Sequence, residues 1–279
     1  MAYTNFKPKV WAKAIERERD LLSVSVALCD RSYEKEASVM GNSIQINWTK
    51  RPTVKSYTVG TNISNPETLE GDTTKTIELN QLKYVNFMVD DVDELQSAPD
   101  IMESCMHEAA SAIAADADKY VHSLAINATN VITEDNVTVE NIGDIVSSAA
   151  QMLYENNVPQ NEEIFLEVSP AIYQLMWKAK VLRETPNSDT FGSGFVGMFD
   201  NFKVYMNNCI IKDMADYYSC IARTRKAIAF VGQMKKMEAY RPQGLFADAV
   251  KGLHVYGATL VRPDEIVKVM LKFPVASSN

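Results

Sequence analysis

The stretch that decides the fold is residues 83–121, "KYVNFMVDDVDELQSAPDIMESCMHEAASAIAADADKYV". Its first residues alternate as in a strand, and its second half places apolar residues at helical spacing. Ser97 and Asp100 have the spacing of a capping box, so we expect a long helix to begin there. The expected buried stripe of this helix consists of Ile101, Cys105, Ala109, Ala112, Ile113, Tyr120 and Leu124.

Four acids crowd the junction between this strand and this helix: Asp90, Asp91, Asp93 and Glu94. Hard cations prefer carboxylate ligands, so a metal site in an enzyme is one interpretation. A helical continuation would, however, spread the acids over different faces, and acids are electrostatically favoured at a helix N-terminus. We therefore favour a structural purpose and keep the metal-dependent enzyme as a remote alternative.

Composition sets broad limits on the class of protein. With 279 residues and 46% apolar content, the chain can bury a sizeable core in one large domain or two smaller ones. The net charge of -8 and the short basic runs argue against tight binding of nucleic acid. The sequence has neither a secretory signal nor a run of about 20 apolar residues. Four widely spaced cysteines argue against a zinc site or a disulfide framework, and we expect reduced thiols in a cytoplasmic protein.

The N-terminal third of the sequence is predicted to form structure that buries few apolar residues of its own. Residues 7–28 fit a short amphipathic helix on an extended arm. Residues 41–89 have a strand-like pattern on both sides of a polar turn, with a phase slip near Asn80 that suggests a bulge. An isolated hairpin is marginally stable in water, so we expect this two-stranded excursion to lie on something else, such as a neighbouring copy.

The middle and the end of the chain predict a mixed α/β organisation. Residues 139–157 fit an amphipathic helix, and residues 163–170 fit a strand ending where Ser169 caps and Pro170 starts a further helix. Residues 185–199 are predicted as a surface loop. Strands are expected at 202–206 and 217–223, a short helix around 226–234, and strands from there to residue 271.

Catalytic signatures are weak throughout the sequence. His107, His122 and His254 form no H-E-x-x-H motif, and the glycines in residues 192–197 follow a polar loop rather than a strand. Neither a G-x-S-x-G elbow nor a Walker lysine is present. The sequence therefore favours a protein that is not an enzyme and that has no cofactor.

The order of these parts resembles the major capsid proteins of tailed bacteriophages with the Hong Kong 97-like fold. Three stretches carry the resemblance: "NFKPKVWAKAIERERD" (5–20), the quoted residues 83–121, and "RKAIAFVGQMKKMEAYRPQGLFADAVKGLHVYGATLVRP" (225–263). The resemblance implies an α+β fold with four parts. These are an N-terminal arm (1–38), an extended loop (39–89), a peripheral domain with a long spine helix (90–129 and 233–279), and an axial domain (130–232).

The resemblance also implies a function by assembly. Copies of the chain would form hexamers and pentamers of an icosahedral shell, which would enclose double-stranded DNA non-specifically. A portal protein would be one further partner. Because an arm-like segment follows Met1 closely, we also expect a separate scaffolding protein. The implied location is the virion capsid, assembled in the host bacterial cytoplasm, without a membrane. The rival interpretation is an encapsulin, a nanocompartment shell of the same fold. The expected subunit-interface residues are Trp11, Trp48, Lys50, Arg51, Lys55, Tyr57, Asp90, Asp91, Asp93 and Glu94.

Overall fold

The structure is a computed structural model that describes residues 23–35, 43–46, 53–62, 75–90, 101–180, 194–210 and 212–274. For residues 101–103 and 235–236 it describes the backbone only. The predicted arm helix lies outside these ranges except for residues 23–28, which form turns, and the predicted cap at Ser97 also lies outside them.

Three α-helices and eleven strands make up the described part of the chain. The helices are α1 (Ile101–Leu124), α2 (Ile142–Glu155) and α3 (Pro170–Lys178). The strands are β1 (Ser43–Ile46), β2 (Lys75–Glu78), β3 (Gln81–Asp90), β4 (Asn130–Glu134), β5 (Ile164–Val168), β6 (Phe195–Phe199), β7 (Phe202–Met206), β8 (Tyr218–Thr224), β9 (Ile228–Tyr240), β10 (Ala247–Leu260) and β11 (Ile266–Leu271).

The larger sheet has six strands in the order β4-β11-β8-β5-β7-β6. The pairs β4–β11 and β5–β7 are parallel, and the other neighbours are antiparallel. Helices α2 and α3 share one apolar core with β5, β7, β8 and β11. The predicted face of α2 is buried, and Ser169 Oγ accepts a hydrogen bond from Ile172 N at the start of α3, as its sequence predicts.

The smaller sheet has three strands in the order β3-β10-β9. Alternating residues point to its two faces, and Phe230 and Tyr256 on one face pack against α1. The opposite face, with Val231 and Val255, carries the β1–β2 hairpin through Ile44 and Ile77. Layered in this way, the helix, sheet and hairpin bury apolar residues at both surfaces of the sheet.

Several local predictions are wrong. Residues 228–234, predicted as a helix, begin β9, because their apolar side chains are buried on both faces of a sheet rather than along one helical stripe. Residues 195–199, predicted as loop, form β6 and pair with β7. The buried stripe of α1 runs along Ala110, Ile113, Ala114, Ala117 and Val121, whereas Ala112 is exposed.

Strand pairing also differs from the two-stranded structure predicted for residues 41–89. The break near Asn80 is present, since β2 ends at Glu78 and β3 starts at Gln81. Only β1 and β2 pair with each other, whereas β3 pairs along its whole length with β10. Strand β11, which the resemblance assigns to the peripheral domain with β9 and β10, lies in the six-stranded sheet. The boundary between residues 232 and 233 that the resemblance implies lies within β9.

Candidate functional site

The segment from Ser23 to Asp30, called here the N-terminal strap, is buried against the body of the protein. Its residues Ser25, Val26, Leu28 and Cys29 are all buried. Asp30 joins the strap to β9, because its N–H donates to Ile228 O and its carbonyl accepts from Phe230 N, both at 2.9 Å. The end of the strap is therefore fixed to the smaller sheet.

An ion pair between two fully buried side chains lies under the strap. Glu167 of β5 and Arg223 of β8 are on adjacent strands, with Arg223 Nη2 at 2.7 Å from Glu167 Oε1. Burial alone would raise the pKa of Glu167, but the Arg223 charge and hydrogen bonds from His122 and Ser25 hold that pKa well below its usual range. Glu167 is thus ionised, and its charge is balanced inside the protein.

The same guanidinium holds the backbone of the strap. Arg223 Nη2 donates to Ser25 O at 2.9 Å, and Nη1 donates to Leu28 O at 3.1 Å. The other oxygen of Glu167 accepts from Ser25 Oγ and lies 3.0 Å from His122 Nε2. Since an ionised carboxylate only accepts, this nitrogen carries the proton. Strap, helix α1 and six-stranded sheet therefore meet at one carboxylate.

Asp118 of α1 is a second buried carboxylate that binds the strap. Its Oδ2 accepts from Val24 N at 2.8 Å, and its Oδ1 accepts from Val26 N at 3.0 Å. Burial raises the pKa of Asp118 to about 6, although these two donors oppose the rise. Two strap amides that have no partner within the strap are satisfied in this way.

This cluster is arranged to hold a segment of chain rather than to react with a solute. Glu167 and Arg223 have no exposed side-chain surface, and burial raises the pKa of Cys29 to about 11, so the thiolate is disfavoured. Within the described ranges, no group of three or more His, Cys, Asp or Glu side chains is placed to hold a metal ion. Asp91 and Asp93, on which the metal alternative depends, lie outside those ranges.

Three of the ten predicted interface residues are described. Lys55 and Tyr57 lie in the exposed segment 53–62, and Asp90 is exposed at the end of β3. The structure does not bring these three into one site with the buried cluster. The other seven lie outside the described residues: Trp11, Trp48, Lys50, Arg51, Asp91, Asp93 and Glu94.

An apolar surface remains open beside the β1–β2 hairpin, on the same face of the smaller sheet. Tyr84 and Met88 of β3 are exposed there, and Tyr84, Lys251 and Leu253 are among the residues that line a shallow cavity of about 350 Å³. Leu82, on the same side of β3, is also exposed, so this face leaves several neighbouring apolar side chains in water. Such surfaces are typical of subunit interfaces.

Sequence reasoning missed the buried cluster. The available signal was a single charged residue among the mostly apolar or small residues of each of two strands, Glu167 in "IFLEV" and Arg223 in "SCIART". A charge that is buried needs a partner, so two such strands predict an ion pair if they are neighbours. In the part of the chain that the structure covers, no helix has the length and apolarity to cross a membrane.

The fold is shared with structures of phage particles. A structure from Mycobacterium phage Che8 is 27% identical over 96% of this chain and 98% of that chain, with a TM-score of 0.71. The capsid of cyanophage P-SCSP1u is 17% identical, over 88% and 87%, with a TM-score of 0.67. A virus-like particle from Pyrococcus furiosus is 12% identical, over 94% and 98%, with a TM-score of 0.62. No protein-family model and no curated protein matches the sequence.

These likenesses define the class of protein. The chain has the α+β, Hong Kong 97-like capsid fold, and the predicted resemblance to the major capsid proteins of tailed phages is confirmed.

Proposed function

We propose that this chain is the major capsid protein of a tailed bacteriophage and has no enzymatic activity. The observation that carries the proposal is the likeness to the Mycobacterium phage Che8 structure, which extends over 96% of this chain and 98% of that one. A shared architecture over the whole length of both chains supports a shared way of assembling. Copies of the chain form hexamers and pentamers that close into an icosahedral shell.

The four predicted parts serve this assembly. The N-terminal arm (1–38) is anchored by the strap, and the extended loop (39–89) reaches an adjacent subunit. The peripheral domain (90–129 and 233–279) contains α1 as its spine helix, and the axial domain (130–232) lies near the centres of hexamers and pentamers. Exposure of Tyr57 in the extended loop supports this arrangement, because a neighbouring copy supplies the missing burial.

The shell encloses double-stranded DNA without binding it tightly. A net charge of -8 suits a container, since few counterions would be released by contact with DNA. A portal protein and a separate scaffolding protein are the further partners, and assembly takes place in the host bacterial cytoplasm. Tight binding of naked duplex by purified shells at physiological salt would contradict this part of the proposal.

Negative-stain electron microscopy of the purified protein, alone and with a co-expressed scaffold, tests assembly. We expect capsomer rings or closed shells. A persistent monomer under both conditions would refute the proposal.

An encapsulin-type compartment is the second candidate, because the same fold occurs in a virus-like particle from Pyrococcus furiosus as well as in phage capsids. The contents of shells isolated from the native source separate the two candidates. Nuclease-protected duplex DNA supports the phage capsid, whereas a packaged enzyme supports the compartment.

A further inference from the structure

The chain crosses over β10 directly before β3 begins to pair with it. The β3–β10 ladder begins with Gln81 opposite Tyr256. At the next residue of β10, Gly257, a Cβ atom would lie 2.1 Å from the carbonyl oxygen of Glu78 and 3.2 Å from Leu79 Cα. Both obstacles are backbone atoms, so a side chain at this position forces the crossing segment away from the sheet.

The crossing lies where the β1–β2 hairpin packs on the smaller sheet. Gly257 is opposite Val231 in the β9–β10 ladder, and Val231 and Val255 pack against Ile44 and Ile77 of the hairpin. Strand β2 ends at Glu78, whose carbonyl makes the close approach. The approach of two backbones at Gly257 therefore sets how deeply the base of the hairpin sits on the sheet.

A second glycine on the same strand provides a contrast. A Cβ at Gly252 would have Val85 Cγ2 as its nearest neighbour, at 3.4 Å, which is ordinary contact with a side chain. Both glycines weaken a strand equally by their backbone freedom. Only at Gly257 does a backbone segment occupy the place of the side chain.

We propose that Gly257 is a positioning residue for shell assembly, because it fixes the position of the β1–β2 hairpin on the sheet face that a neighbouring copy would cover. The proposal rests on the proposed function. Leu253, which packs against the hairpin, lies opposite the exposed Tyr84 in the β3–β10 ladder. A displacement of the hairpin at Glu78 thus changes the edge of the apolar surface that a neighbour would bury.

The test compares Gly257→Ala with the matched control Gly252→Ala. In unassembled protein, hydrogen exchange at the amides of residues 75–79 should be about tenfold faster in G257A and close to wild type in G252A. In the assembly reaction, G252A should give closed shells of wild-type diameter, and G257A should not. Wild-type exchange in G257A, or wild-type shells formed by it, would overturn the proposal.

A third variant separates position from stability. Ile77→Ala removes packing under the hairpin but leaves the crossing unobstructed. It should lower the urea midpoint and still give shells of wild-type diameter under conditions where it is folded. If G257A does not fold while G252A does, or if both G257A and I77A lose assembly in proportion to stability, Gly257 acts in folding and the proposal fails. Failure of wild-type protein to assemble counts against the proposed function itself, and hydrogen exchange then decides whether Gly257 fixes the hairpin.

Discussion

Arg223 and Glu167 face each other from adjacent strands with 2.7 Å between Nη2 and Oε1, and neither side chain is exposed. An ion pair in this position is costly to desolvate, and its remaining hydrogen-bonding groups must be satisfied. The N-terminal strap satisfies them with the carbonyls of Ser25 and Leu28 and the hydroxyl of Ser25. The pair and the strap therefore depend on each other.

Replacing Arg223 with methionine should leave Glu167 as an unpaired buried charge. We expect Arg223→Met to lose about 3 to 5 kcal/mol in the free energy of unfolding, measured by urea denaturation followed by circular dichroism. The matched control is Lys251→Met, which breaks the Lys251–Glu238 pair on the surface. We expect a clearly smaller loss from this exposed pair, because water screens its charges. Equal losses in the two variants would show that the buried pair has no special role.

Asp118 should make stability fall as the pH rises. Its pKa is raised from 3.8 to about 6 in the folded protein, so the folded state binds the proton more tightly than the unfolded state. Its contribution to the free energy of unfolding is therefore greatest below pH 4 and is lost as the pH rises through 6, by up to about 3 kcal/mol.

Asp118→Asn tests this dependence. In Asp118→Asn, the amide nitrogen cannot accept a hydrogen bond, and this lowers the free energy of unfolding by the same amount at every pH. The loss of the ionisable carboxyl removes the pH dependence that Asp118 contributes. Urea denaturation of both proteins at pH 4.5, 6 and 7.5 should show the gap between them changing with pH. The exposed acid Glu140 provides the control, since Glu140→Gln should retain the wild-type slope. A constant gap between wild type and Asp118→Asn would contradict the prediction.

Cys29 should report whether the strap is in place. Burial raises the pKa of Cys29 to about 11 and that of Cys220 to about 12, so neither thiol should react with a disulfide reagent at pH 8 in the folded protein. In Arg223→Met, release of the strap should expose Cys29 but leave Cys220 protected. Peptide mass mapping after labelling identifies the modified thiol. Fast labelling of Cys29 in wild-type protein would show that the strap is not held.

Tyr57 should matter for assembly rather than for folding. Its side chain is 63% exposed in the single chain, so Tyr57→Ser should change the free energy of unfolding by less than about 0.5 kcal/mol. If a neighbouring copy buries this ring, the variant should form few shells under the electron microscope. The exposed Val139, shortly before α2, provides the comparison, and Val139→Ser should assemble normally. Normal assembly by Tyr57→Ser would remove this residue from the interface.

Charge reversal at the acidic junction tests the structural purpose of Asp90, Asp91, Asp93 and Glu94. If these acids cap α1 or pair with basic residues of the arm or a neighbour, substituting all four with lysine should impair assembly more than it impairs monomer folding. Sedimentation velocity measures the first property and thermal unfolding the second. The isosteric Asn and Gln replacements should have intermediate effects. A metal-dependent activity abolished by those same replacements, with assembly intact, would instead favour the enzyme.

Local patterns predicted several elements because one stretch of chain contains all the information they need. The apolar stripe of α2 and the Ser169–Pro170 start of α3 depend on neighbours within a few residues, and both are confirmed. The helix expected around 226–234 failed for the opposite reason. Its apolar residues are buried by α1 and the β1–β2 hairpin, which are distant in sequence, and this burial favours a strand.

By itself, the sequence determined the three helices, the strands β5, β7 and β8, the break near Asn80 and the resemblance to a family of shell proteins. Only the tertiary structure decided that β3 pairs with β10, that β11 joins the six-stranded sheet, and that Glu167, Arg223 and Asp118 meet at the strap. Strand pairing and the balancing of buried charges connect residues far apart in the chain. The free energy of these interactions depends on which residue the fold places next to each group. The spacing of residues along one segment does not specify that partner.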